Sequence, residues 1–299
     1  MYELIPVSGR TYYIDCPTKI GVFLAGENRV YLIDSGNKKD AGKKLWQILE
    51  QKGWRLQGIL NTHSHADHIG GNRYLQEQTG CQVFARGVEN AFTRYPVLEP
   101  SFLYGGCPPE ELRHKFLMAQ ESDALEFSHP DFPRELESIP LPGHSLHMTG
   151  FRTPDNVVFL GDAVVSPATL EKYGVSYLYD VGTALHTLDA LEQLEASLFV
   201  PSHAEPTTDI SELVHRNREK ILEVGDRIVS LCEVPRTAEE LLKELFTLYG
   251  LTMTFEQHAM IGSTLRSYLT WLKSLGRLTA EIRENAMVWQ AVPDFPKEP

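Results

Sequence analysis

Between Ile59 and Asn72 the chain reads ILNTHSHADHIGGN, which sets His63, His65, Asp67 and His68 within six positions directly after an apolar run. With 11 histidines in 299 residues, an H-x-H-x-D-H element arises by chance in fewer than roughly one such chain per thousand. A lone histidine is ordinarily a surface or satisfied core residue; a cluster this dense is not. In an extended segment residues two apart face the same side, so His63 and His65 can pair on one metal ion. Asp67 and His68 follow where the chain turns toward a helix and can aim at a neighbouring position. Gly70 and Gly71 allow a tight turn and close backbone packing there. Imidazole and carboxylate are zinc donors that also suit iron or manganese.

Four donors from one loop do not complete two metal sites, so other segments must contribute. Three candidates each stand at the end of a predicted strand: His144 in LPGHSLH, Asp162 in VVFLGDAVV and His203 in LFVPSHAEP. A polar side chain at the mouth of a buried strand gives a rigid site, because the sheet fixes its position. Any one of them alone would read equally well as structural.

The surrounding pattern is layered. KIGVFLAG and NRVYLIDSG read as two strands meeting at Gly26-Glu27-Asn28. KKDAGKKLWQILEQKGW spaces Leu45, Ile48 and Leu49 as a helix closed by Gly53. Strand LQGILNT, helix GGNRYLQEQTG and strand CQVFA follow, and this alternation indicates an α/β domain. From about 88 to 127 the pattern loosens, and RYPVLEPSFLYGGCPPEEL reads as a long loop: a lid, a binding loop or a plain surface excursion. Phe102 and Tyr104 are its candidates for a lid or a dimer contact. Strands ELESIPL, MTGFRT and NVVFLGD, helix TALHTLDALEQLEASL and strand LFVPSH complete residues 1–208. Residues 209–299 read as a smaller, mainly helical domain: ISELVHRNREKILEVGDRIVSLC with Leu213, Ile221, Val224 and Ile228 on one face, two further helices, and a hairpin in TAEIRENAMVWQAV. In element order this tail resembles a winged-helix module.

Charge narrows the classes. The net charge of −12 argues against a general nucleic-acid binder, which needs a basic face. The acidity belongs to the first two-thirds of the chain. The tail is close to neutral, which favours a structural or dimerising appendage over one that reads DNA. No run approaches the ~18 apolar residues of a membrane span, and the N-terminus lacks the pattern of a signal peptide. Cys16, Cys81, Cys107 and Cys232 form no CxxC pair, so neither a disulfide framework nor a cysteine-only zinc site is expected. A cytoplasmic protein acting on a small molecule, without nucleic acid or membrane and with homodimerisation open, is the expectation.

THSHADHIGG, PGHS, FLGD and PSHAE stand in the order in which the metallo-β-lactamase-fold superfamily carries its metal-ligand motifs, and over about residues 18–208 the chain resembles that superfamily. The resemblance implies an αββα sandwich with the site along one edge. It implies that His63, His65 and His144 bind one metal ion, that Asp67, His68 and His203 bind a second, and that Asp162 bridges them. Asp34 in YLIDSG matches the family's strand-end acid, which buttresses the site without binding metal. Two divalent ions, zinc first with iron or manganese as alternatives, would activate water against a carbonyl or phosphoryl centre, with Asp67 and Asp162 as the catalytic carboxylates. The Asp162 bridge favours glyoxalase II-like hydrolases over true lactamases, and so an ester, a thioester or a related small anionic substrate. Two alternatives stay open: an endoribonuclease resembling the lactamase-β-like-2 proteins, and a mononuclear iron persulfide dioxygenase. His147, Tyr173, Tyr177 and Tyr179 are weaker candidates for substrate contact, and Lys172 could meet a substrate carboxylate.

Overall fold

A computed structural model describes residues 2–293. Strands β1 (Glu3–Ser8), β2 (Thr11–Asp15), β3 (Ile20–Leu24) and β4 (Arg29–Ile33) form an antiparallel meander. Helix α1 (Lys38–Lys52) then crosses to β5 (Arg55–Leu60), which lies parallel to β4. Helices α2 (Ala66–Ile69) and α3 (Asn72–Thr79) lead to β6 (Gln82–Phe84), the last strand of a six-stranded sheet. Gly53, with φ of 67°, ends α1 in the left-handed conformation expected of it. Strand β1 is an edge of the sheet, and β1 and β2, ELIPVS and TYYID, alternate only weakly in burial.

The 88–127 segment is not a bare loop. It holds α4 (Val88–Arg94), α5 (Leu98–Tyr104) and a 3-10 turn, Glu110–Leu112. Beyond it, β7 (Glu137–Pro140), β8 (Thr149–Arg152) and β9 (Val157–Val165) pair antiparallel. Helix α6 (Pro167–Tyr173), which the strand-and-helix pattern did not pick out, starts on the Ser166 side chain, an N-cap that accepts the Thr169 amide. Helix α7 (Val181–Glu192) carries the chain to β10 (Leu198–His203), parallel to β9, and completes a second, four-stranded sheet.

Alternation along the strands builds the layers. In β4, Val30 and Leu32 point outward to Leu45 and Leu49 of α1 and Leu75 of α3, whereas Tyr31 and Ile33 point inward. In β9, Val157 and Phe159 point inward, whereas Val158 and Leu160 meet Leu188 and Leu191 of α7. Between the sheets lie Phe23, Phe84 and Phe151, all fully buried. Each such side chain stabilises the sandwich by roughly 1.5–3 kcal/mol over exposure. The result is the expected αββα sandwich.

The tail follows as α8 (Ser211–Leu231), β11 (Arg236–Thr237), α9 (Ala238–Leu248), α10 (Phe255–Ser274), β12 (Leu278–Arg283) and β13 (Ala286–Ala291). The three strands form one small sheet in the order β11-β13-β12, and Glu284 and Asn285, both at positive φ, make the tight hairpin turn. Helix α8 serves both halves: Val214 packs on the second sheet, while Val224 and Ile228 join the core made with α9 and α10. Helix α10 packs against α5 and α7. No helix among the described residues is long and apolar enough to cross a membrane, and all four cysteines are free.

Candidate metal centre

Strand β5 delivers Thr62 and His63 at its carboxyl end, and α2 begins three residues later, so one turn presents His63, His65, Asp67 and His68. That turn is held down by close contact. A Cβ on Gly70 would stand 2.1 Å from the Lys38 amide nitrogen, and one on Gly71 would stand 2.4 Å from the Ser35 carbonyl oxygen. Both glycines have ordinary negative φ. The motif therefore needs them for packing, not for an unusual backbone.

The sequence-predicted donors come together from four places in the chain. His65 Nδ1 lies 3.0 Å from His63 Nε2 and 3.0 Å from His144 Nε2. Beside this triad, His203 Nε2 is 3.1 Å from Asp67 Oδ2, and His68 Nε2 is 3.6 Å from the same oxygen. Asp162 sits between the groups: its Oδ1 is 3.2 Å from His68 Nε2, and its Oδ2 is 3.4 Å from His203 Nε2 and 3.6 Å from His144 Nε2. Three overlapping sets result, His63-His65-His144, His63-His68-Asp162 and Asp67-His68-His203, each with donor atoms within 4.8 Å of one another.

The partners of these side chains fix which nitrogen faces inward. Asp34, at a left-handed φ of 66°, accepts the Thr62 amide and hydroxyl at 2.8 Å each and His68 Nδ1 at 2.8 Å. The Thr62 hydroxyl, already donating to Asp34, accepts from His63 Nδ1 at 3.0 Å. His203 Nδ1 donates to the Pro17 carbonyl at 3.2 Å, and Thr18 donates to Asp67 Oδ2 at 3.1 Å. Each outer hydrogen bond leaves Nε2 of its ring for the centre.

A divalent cation suits this donor set. His68 Nε2 and Asp162 Oδ1 are buried and face each other, yet neither makes a hydrogen bond. Three imidazole nitrogens converging at 3.0 Å leave room for few protons and invite a cation; around a tetrahedral zinc they would stand ~3.3 Å apart.

Electrostatics divides the centre in two. Burial pushes the His65 and His144 imidazoles down to about 4 and lowers His63 well below its ordinary value. These three are neutral imidazoles, the form in which histidine coordinates a metal ion. Burial also opposes charge on His68, but Asp162, Asp67 and Asp34 outweigh it and hold that pKa well above the ordinary value. Asp162, ahead of other influences, pushes His203 up to about 10.

A cavity of about 600 Å³ opens from the centre. Tyr177 lines it, its ring centroid 5.3 Å from that of His65 and 5.6 Å from that of His144. Lys172 and Tyr173 line it as well, and among the described residues Lys172 makes no salt bridge. The opposite wall comes from the tail: Lys220 and Ile221 of α8, and Gln257 and Met260 of α10. The tail thus contributes part of the cavity wall.

Two of the weaker candidates fall outside the cavity. His147 is exposed and turns to the start of α4, where its Nδ1 accepts the Val88 amide at 3.1 Å. Tyr179 packs its ring on Phe102, with centroids 5.7 Å apart, and neither residue lines the cavity. The lid reading of Phe102 and Tyr104 is corrected likewise: from 88–127, it is Glu99, Leu103, Phe116 and Leu117 that face the cavity.

Sequence reasoning passed over two buried glutamates in that segment. Glu99 Oε1 stands 3.5 Å from His65 Nε2, and burial, followed by the charge of Glu89, pushes its carboxyl up to about 8. Glu89 accepts hydrogen bonds from both histidine loops. Neither sits in a local motif that could have announced it.

Comparison with known proteins agrees with this geometry. The family model described as Metallo-beta-lactamase superfamily matches residues 16–203. A hydroxyacylglutathione hydrolase of Methylococcus capsulatus is 32% identical over 151 residues, covering 50% of this chain and 47% of its own length. The chain thus spans about half of that relative. "Probable metallo-hydrolase YflN" of Bacillus subtilis is 26% identical over 234 residues, 69% of this chain and 86% of its own. Among solved structures, a beta-lactamase domain protein from Burkholderia ambifaria superposes with a TM-score of 0.75 at 15% identity, over 97% of this chain and 94% of its own. That last likeness concerns the fold alone, and it extends through the tail.

Proposed function

Because the chain belongs to the metallo-beta-lactamase superfamily, we propose that it is a metal-dependent hydrolase of small thioesters or esters. In this reading His63, His65 and His144 hold one divalent ion, Asp67, His68 and His203 hold a second, and Asp162 is shared. The observation that carries it is the chaining of three donor sets, in which the His63-His68-Asp162 set shares one histidine with each of the other two. Zinc is the first candidate, with iron or manganese as alternatives. Divalent ions held there would lower the pKa of water to about 7, supplying a nucleophilic hydroxide, and would polarise the carbonyl under attack.

The chain's own residues do the positioning. Asp162 reaches toward both histidine groups and sets their spacing. Asp67, anchored at Oδ2 by the Thr18 hydroxyl, has Oδ1 left to accept a hydrogen bond from the attacking water. Tyr177 borders the first triad, where it would pack against the acyl group. Lys172 suits a carboxylate or another anionic end of the leaving group. The division into a catalytic unit, 1–208, and a C-terminal unit, 209–299, belongs to the same reading: the cavity lies between them, of a size for a small molecule rather than a polynucleotide.

The test is elemental analysis of protein purified without added metal, with thioester and ester hydrolysis measured on the same sample. Two divalent ions per chain with turnover, and loss of turnover in a folded Asp162→Ala variant, would bear the proposal out. One tightly held iron, with oxygen consumed on adding a persulfide, would overturn it in favour of a dioxygenase.

A further inference from the structure

The two loops that carry the first triad, His63–His65 and His144, are 79 residues apart in sequence at their closest ligands, and one carboxylate ties them together. Glu89 of α4 is 2% exposed. Its Oε2 accepts the Ser64 amide at 3.0 Å and the Ser64 hydroxyl at 2.6 Å. Its Oε1 accepts the Ser145 hydroxyl at 2.8 Å and the His147 amide at 2.9 Å. Ser64 lies between His63 and His65, and Ser145 directly follows His144. We propose that Glu89 is a positioning residue of the metal centre, clamping the His63–His65 loop to the His144 loop so that the three donor nitrogens converge.

The need for a clamp shows in what else holds these rings. His63 is anchored through Thr62, and His68 through Asp34. For His144, no hydrogen bond to Nδ1 is formed among the described residues. The direction of that ring depends on its backbone, and the backbone depends on Glu89. A carboxylate is the one side chain that fits, because it offers only acceptors to four donors. Glutamine has the same shape but presents an NH2 group to one of the two donor pairs, leaving those donors facing donors. Outer-shell partners of this kind typically change metal affinity by 10–100-fold.

The proposal rests on the two-site metal reading, and the experiment separates the two. Zinc affinity is measured by chelator competition, and cobalt-substituted protein is followed by its visible spectrum, for wild type, Glu89→Gln and Ser64→Ala/Ser145→Ala. Wild type that takes up no metal would sink the metal reading itself. Wild type that binds metal normally, with folded variants weaker by about 10–100-fold at one site and a shifted cobalt spectrum, is the expected result. A Glu89→Gln protein with wild-type affinity and spectrum would mean that Glu89 only fills space, and the clamp would be wrong. If Glu89→Gln does not fold, the double serine variant decides: it removes one of the two hydrogen bonds by which the carboxylate holds each loop, and unchanged metal binding and spectrum there overturn the clamp.

Discussion

The Asp34 carboxylate receives the Nδ1 proton of His68 at 2.8 Å and the Thr62 hydroxyl at 2.8 Å from the same oxygen, so one acid sets the tautomers of two histidines. Asp34 holds a left-handed backbone to do so, a conformation that costs a non-glycine residue about 1–2 kcal/mol. Replacing it by asparagine keeps the shape but turns a donor toward His68. The Asp34→Asn protein is expected to fold and to bind its second metal ion about 10–100-fold more weakly. Zinc titration against a chelator of known affinity checks this; unchanged affinity at both sites would show that the tautomer is set elsewhere.

Proton release should distinguish the two proposed metal sites. His63, His65 and His144 are neutral near pH 7, whereas His68 and His203 carry protons in the absence of metal, His203 up to about pH 10. Coordination requires the neutral ring. The first zinc equivalent is therefore expected to release few protons and the second about two, so affinity at the second site rises more steeply with pH. Calorimetry in buffers of different ionisation enthalpy reads this directly, and equal release at both steps would contradict it. The same shift has a stability consequence in metal-stripped protein. His203 has a folded pKa above its ordinary 6.5, so its contribution is fully present below pH 6.5 and is lost as pH rises through about 10.

Gly70→Ala places a methyl group against the Lys38 backbone. The loop must move to admit it, at a cost of about 1–3 kcal/mol or more. A fall in melting temperature together with reduced metal content is expected, because Asp67 and His68 ride on the same turn. Loss of stability with full metal content would separate the glycine's role from the site.

The tail's share in the site can be read through Met260, which is half-buried on the cavity wall. Met260→Trp should narrow the cavity without touching a ligand. The expected signature is a KM that rises several-fold for bulky acyl substrates and little for acetyl ones, with metal content unchanged. A uniform effect across substrate sizes would argue that this wall is not where the acyl group lies.

Where reading the chain and the structure agree on which residues lie together, the information was local. H-x-H-x-D-H, the Gly pair and the strand-end His144, Asp162 and His203 are short-range patterns tied to strand termini. The period-two alternation in β4 and β9 likewise sorts residues into layers before any partner is known. Where it failed, the information lay in distant pairings. His147 looked like a pocket residue because it stands three positions after His144, but a turn in between sends it to α4. The 88–127 segment looked like a loop because four prolines and paired glycines interrupt it, yet its short helices carry Glu89 and Glu99 to the clustered histidines.

Sequence alone set out the candidate donors and the sandwich that aligns them, since donor chemistry and strand periodicity are properties of the residues themselves. Tertiary structure decided the rest: which nitrogen of each ring turns inward, which carboxylate ties the loops, and that α8 and α10 close the cavity. An amphipathic helix announces that it will bury a face, and a buried acid that it will need donors. Neither announces against what, because partners 25 to 145 residues away are chosen only when the chain packs.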